Sequence, residues 1–149
     1  MINIVQIGVG YWGPNLLRNL VSNKDAHLKT VVDLSAERRQ FVESTYPTVQ
    51  TTDNVIDVLN DTSIQAIVIS TPVETHYDLA IKALNAGKHI LVEKPMATSS
   101  DEVKAIDQLA QENNLIAMVG HTFLFNNAVR TIKKLIDDGE LGEIRYIYS

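Results

Sequence analysis

The 149-residue chain contains no cysteine, which excludes disulfide bridges, thiolate metal sites and a cysteine nucleophile. It has no apolar run approaching the length needed to cross a bilayer. Met1-Ile2-Asn3 lacks the positive start of a secretory signal, so the expected location is the cytoplasm. Positive charge is in deficit: 13 Lys and Arg stand against 18 Asp and Glu, a net charge of −5. Nucleic acids and anionic membranes both reward basic patches, so neither is expected as a partner. Internal repeats and low-complexity stretches are absent. The histidines are scattered without a carboxylate at ligand spacing, and no metal site is expected.

What remains is an alternation of short apolar runs with helical patterns. Strands are expected at Ile2–Ile7, His27–Asp33, Ala66–Ser70, His89–Glu93 and Leu115–Val119, with a shorter one around Val49–Thr51. Nearly continuous runs such as Ala66-Ile67-Val68-Ile69 suit parallel strands covered on both faces. Helices are expected at Trp12 to Val21, Ala36 to Ser44, Asn54 to Leu59 and Thr75 to Ala86, the last ending at Gly87. Ser99 and Glu102 read as a capping box before the stripe Val103, Ile106, Leu109, Ala110. A second stripe, Ala128, Val129, Ile132, Leu135 and Ile136, stops at Asp138-Gly139. The alternation predicts an α/β fold built on a doubly wound parallel sheet.

Gly8-Val9-Gly10-Tyr11-Trp12-Gly13 directly follows the first apolar run, and Asp33 closes the second about 20 residues later. Gly8 permits the tight turn, Gly10 lets a pyrophosphate approach the backbone, and Gly13 lets helix pack closely on strand. The helix N-terminus then faces the phosphates. Tyr11 and Trp12 either pack beside those phosphates or cap the helix. Asp33 is expected to accept hydrogen bonds from the ribose hydroxyls, which favours NAD, since a 2′-phosphate would meet its negative charge. Arg38 or Arg39, one helical turn on, is placed to cover the adenine or rescue a phosphate, so NADP is disfavoured but still open.

Glu93-Lys94-Pro95 ends another strand, on the edge where ligands of such sheets bind. Out of context it reads as a solvated turn; here Lys94 is the candidate catalytic residue. It can exchange a proton with a substrate hydroxyl while hydride moves to or from the cofactor, and a cis Pro95 would aim it. Ser70-Thr71-Pro72 forms the turn after the Ala66 strand, where its backbone can line the cofactor. His76 starts the next helix and either contacts the nicotinamide half or satisfies local backbone. His121 borders the site more loosely; His27 and His89 open strands and read as structural.

Glu143 to Tyr148 alternates as a strand should, with Ile144, Tyr146 and Tyr148 on one face. Residues 1–142 are therefore expected to form the dinucleotide-binding domain, and 143–149 the start of a second domain. A lone strand there also predicts self-association as a homo-oligomer.

With these motifs in order, the chain resembles the Gfo/Idh/MocA family of oxidoreductases over essentially its whole length, Gly120 to Phe125 and Gly139 to Ile144 included. The resemblance implies a Rossmann-like domain and hydride transfer between NAD and a sugar, nucleotide-sugar or cyclitol carbon. The stretches Gly10 to Asn15 and His121 to Phe125 look most like members acting on nucleotide-linked sugars. It implies that Lys94 is catalytic, that Glu93 and Pro95 line the nicotinamide, and that His76 sits beside its ribose. Leu124 stands where many members carry arginine, and Asn127 where proline is usual. Family members continue into an α/β substrate domain, so the chain is expected to bind NAD(H) with little turnover. A non-catalytic NAD-binding module and a fragment of an NAD-assisted glycosidase are the alternatives.

Overall fold

A computed structural model describes residues 1–148. Six strands form one sheet: β1 (Ile2–Ile7), β2 (Ala26–Val32), β3 (Gln50–Thr52), β4 (Ala66–Ile69), β5 (His89–Val92) and β6 (Ala117–Val119). All neighbours are parallel, in the order β3-β2-β1-β4-β5-β6. The helices are α1 (Gly13–Ser22), α2 (Ala36–Thr45), α3 (Val55–Asn60), α4 (His76–Asn85), α5 (Ser100–Glu112) and α6 (Asn127–Asp137).

Parallel strands need crossovers, and crossovers cover both faces of the sheet, so these strands must be apolar on both sides. Val5, Ile7, Ile67, Ile69 and Val92 pack one way, with Val58 of α3, Leu84 of α4 and Ile106 of α5. Ile4, Leu28, Val31 and Val68 pack the other way, with Leu17 of α1 and Val42 of α2. Removing a fully buried side chain such as Leu17 would cost about 2–5 kcal/mol.

Helix ends follow the expected chemistry. Ser35, Asn54, Ser99 and Asn126 each accept a hydrogen bond from a first-turn N–H of α2, α3, α5 and α6, and Ser99 and Glu102 form the reciprocal capping box. Gly87 takes the left-handed conformation, φ 73°, just past α4.

The order β3-β2-β1-β4-β5-β6 reverses direction between β1 and β4. Such a switch point opens a crevice outside the carboxyl ends of the strands. Asp33, Ser70 and Glu93, expected as final strand residues, instead stand one position beyond β2, β4 and β5. Their N–H groups still join the ladder, bonding the carbonyls of Thr52, Ile7 and Ile69 at 3.1, 2.9 and 2.9 Å. Each is thus hooked to the sheet edge while its side chain turns into the crevice region.

One expected element is absent. Glu143–Tyr148 forms no strand among the described residues. Alternating sequence alone does not make a strand; its N–H and C=O groups need a neighbouring edge, and the sheet ends at β3 and β6 without it. The preceding α6 buries none of its residues, leaving Val129 and Ile132 of its apolar stripe exposed beside Phe123, Leu124 and Phe125.

Candidate functional site

A cleft of about 1140 Å³ lies over the switch point, and all the expected site residues except Gly13 and Pro95 line it. Three segments build it: the glycine turn after β1, the Ser70–His76 segment after β4, and Glu93-Lys94 after β5.

The turn is tight by construction. Gly8 has φ 91°, and a Cβ on it would lie 2.8 Å from the Ser70 carbonyl oxygen. A Cβ on Gly13 would lie 2.7 Å from the Gly8 carbonyl oxygen. Gly10 differs: a Cβ there would meet nothing nearer than the end of the Arg38 side chain at 3.6 Å. Among the described residues no close backbone contact demands glycine at position 10, and the backbone there is open to the cleft. A pyrophosphate lying against the backbone fits that opening.

The helix that follows supports the same fit. Trp12, the N-cap of α1, makes no side-chain capping bond. In the first turn Pro14 has no N–H and the Asn15 N–H bonds the Trp12 carbonyl at 3.0 Å, which leaves the Gly13 N–H, at the positive end of the helix, open to an anion. Tyr11 is almost wholly exposed and Trp12 about half; both stand on the cleft wall, and Trp12 holds the N-cap position without a side-chain capping bond.

Asp33 is buried. Its Oδ2 accepts from the Val9 N–H at 2.8 Å and its Oδ1 from the Ser35 N–H at 2.9 Å. Each oxygen retains acceptor capacity. The two arginines separate clearly. Arg38 reaches into the cleft, 3.6 Å from Asp33 Oδ2. Arg39 turns away, donating to the carbonyls of Asp33 and Leu34 and pairing with Asp53.

Ser70 and His76 face inward more than the sequence suggests. Ser70 Oγ donates to the Gly8 carbonyl at 2.7 Å. His76 is 2% exposed, with Nδ1 2.9 Å from the Pro95 carbonyl oxygen and Nε2 2.8 Å from that of Thr71. It touches the cleft with its ring but commits both nitrogens to backbone, tying the turn after β4 to the turn after β5. Thr71 Oγ1 is 2.7 Å from Thr75 Oγ1, which shapes the intervening turn. The Lys94–Pro95 peptide is cis.

Glu93 is buried with Oε2 accepting from the Lys94 N–H at 3.1 Å, while Oε1 has no partner among the described residues. Gly120 leaves it room, since a Cβ there would lie 3.0 Å from Oε1. Lys94 is exposed at the cleft, and among the described residues no carboxylate lies within ion-pair distance of its ammonium. His121 lines a second depression of about 490 Å³ with Lys94, Phe123 and Leu124. His27 and His89 bond Asn3 and the Ile116 N–H instead. No group of three or more potential metal-ligating side chains occurs among the described residues, and no described helix is long and apolar enough to cross a membrane.

Residues 2–121 match the model of the oxidoreductase family with an NAD-binding Rossmann fold, Gfo/Idh/MocA. The chain belongs to the Gfo/Idh/MocA family. It is 36% identical over 141 residues to scyllo-inositol 2-dehydrogenase (NAD(+)) of Bacillus subtilis, covering 94% of this chain and 41% of that protein. It is 30% identical over 111 residues to that organism's scyllo-inositol 2-dehydrogenase (NADP(+)), covering 74% and 31%. The structure of scyllo-inositol dehydrogenase from Lactobacillus casei with bound NAD(H) and scyllo-inositol superposes with a TM-score of 0.88. It is 25% identical, over 97% of this chain and 43% of that one. The chain thus spans less than half the length of these relatives. Its match is to the family's NAD-binding Rossmann domain, and over that region it is similar to inositol dehydrogenases.

Among residues that sequence reasoning passed over, Gln6 is the most consequential. It reads as one more position in an apolar strand, and only its polarity inside that run sets it apart.

Proposed function

We propose that the chain is the cofactor-holding half of an NAD-dependent dehydrogenase acting on a ring hydroxyl of a sugar or cyclitol. The observation that carries this reading is the meeting, on one cleft, of the bare Gly10 turn with an unpaired lysine at the end of β5. When bound, NAD⁺ supplies the acceptor for the hydride that leaves the substrate carbon. The Gly13 N–H at the start of α1 and the open backbone at Gly10 would hold the pyrophosphate, and Asp33 would accept from the ribose hydroxyls. Lys94, as the neutral amine, takes the hydroxyl proton at Nζ to become the ammonium, and the ammonium returns it in the reverse direction; His76 holds the turn that carries it. Asp33 disfavours a 2′-phosphate by charge, and Arg38 beside it offsets part of that charge. The preferred cofactor is NAD, with weaker binding of NADP.

The substrate-holding half rests, on this reading, against the apolar stripe of α6. That helix lies beyond the family-matched residues and exposes apolar side chains, and the chain spans less than half the length of its relatives. Residues 143–149 then begin the second domain.

The test compares wild type with Lys94→Ala, measuring NADH binding and NADH formation from cyclitols and hexoses. Turnover by the chain alone should be slow and should rise when a relative's substrate half is added. Lys94→Ala should bind NADH normally and lose about 100-fold or more in turnover. Equal turnover by the two proteins contradicts the assignment.

A further inference from the structure

Gln6 lies within β1 with none of its surface exposed, where an apolar side chain would need no hydrogen-bond partner at all. Its Nε2 donates to the carbonyl oxygens of Gly8 and Gly13 at 3.0 and 2.9 Å, and stands 3.2 Å from Ser70 Oγ. Its own Oε1 has no partner. Carbonyls only accept, so the amide nitrogen and not the oxygen must face them. The residue leaves a buried acceptor unsatisfied while holding two carbonyls of the glycine turn. Packing alone gives no reason for that.

The bonds around Gly8 supply one. The Gly8 carbonyl is drawn into the protein by two donors, Gln6 Nε2 and Ser70 Oγ. The other side of the same peptide unit, the Val9 N–H, is taken by Asp33 Oδ2 at 2.8 Å. One peptide plane is therefore pinned at both edges. The same Gln6 amide fixes the Gly13 carbonyl, and with it the start of α1, to β1.

We propose that Gln6 is a positioning residue for the dinucleotide: it locks the Gly8–Val9 peptide and the first residue of α1 so that the free amides of the turn face the phosphates. The inference rests on reading the cleft as a dinucleotide site. It assigns Gln6 no contact with the ligand.

Gln6→Met keeps the volume and suits a buried site while removing both donors. Gln6→Glu keeps the shape but turns the donor edge into an acceptor. Three readouts separate the possibilities: affinity for NADH and ADP-ribose, affinity for adenosine, and amide hydrogen exchange at Val9 in the free chain. Gln6→Met should lose about tenfold or more for NADH and ADP-ribose alike, keep its adenosine affinity, and exchange faster at Val9. Gln6→Glu should lose more. Wild-type NADH affinity and unchanged Val9 exchange in Gln6→Met would overturn the inference, as would equal losses for adenosine and ADP-ribose. If wild type binds no dinucleotide while Gln6→Met still frees Val9, the cofactor reading fails and the brace on the turn stands.

Discussion

Asp33 and Val9 share a hydrogen bond of 2.8 Å from backbone amide to carboxylate, which fastens the end of β2 to the glycine turn after β1. The residue proposed for the ribose is thus also bonded to the turn proposed for the phosphates. Asp33→Ala should weaken NADH binding at both ends of the adenosine diphosphate and destabilise the chain. Losing a hydrogen bond to a charged group costs about 1.5–3 kcal/mol. Asp33→Asn should fall between wild type and alanine in affinity. Calorimetric titration and thermal melts check the order, and an alanine variant that binds like wild type would remove Asp33 from the site.

The glycines divide by what surrounds them. Gly8→Ala forces a positive φ on a side chain and sets its Cβ against the Ser70 carbonyl, so it should lose about 1–3 kcal/mol of stability. Gly10→Ala meets only the yielding Arg38 side chain, and its melting should stay near wild type. Its NADH affinity should nevertheless drop about tenfold or more, because the added methyl stands where the phosphates approach. Denaturant melts paired with NADH titrations resolve the two cases.

Arg38 and Arg39 are neighbours in sequence with opposite roles. Arg38→Ala should lower NADP⁺ affinity more than NAD⁺ affinity, by about tenfold in ratio, because Asp33 would then face the 2′-phosphate unscreened. Arg39→Ala should leave the ratio unchanged and act on stability, since its guanidinium holds the backbone of Asp33 and Leu34. Paired titrations with both nucleotides give the ratio directly.

Acid should destabilise the fold. Lys29, with Ser63 beside it, holds the Asp61 carboxyl well below the usual carboxylate range. The Thr98 hydroxyl, with the Thr98 and Ser99 amides, lowers that of Glu102. Both groups are depressed in the folded state, so their stabilisation is complete above their unfolded values near about pH 4. It disappears as pH falls through the folded values. Lys29→Met, by releasing Asp61, should flatten part of that acid loss in a series of melts across pH. An unchanged slope would contradict the pairing.

Most of the sheet was legible because parallel strands must be apolar on both faces, and runs such as Ala66 to Ile69 have no other reading at that length. The placement of Asp33, Ser70 and Glu93 at the strand ends was legible for the same reason: they interrupt those runs where the chain must leave the sheet. Gln6 and the inward turn of Ser70 were not, since both depend on which carbonyls the folded turn brings within reach. His76 left two readings open, ligand or backbone. Its nitrogens bond carbonyls at Thr71 and Pro95, one of them 19 residues away, a partner that local spacing does not disclose. The misread strand at Glu143–Tyr148 has a simpler cause: alternation specifies two faces, and pairing needs a second edge.

The most direct test of the account is calorimetric titration of the chain with NAD⁺, NADH and NADP⁺, with Gly10→Ala alongside. Micromolar binding of NAD(H), weaker binding of NADP⁺, and a weakening of both by about tenfold or more in a folded Gly10→Ala are the predicted result. A folded wild-type chain that binds none of the three, or a Gly10→Ala variant that binds as tightly as wild type, would contradict the assignment of the cleft to a dinucleotide.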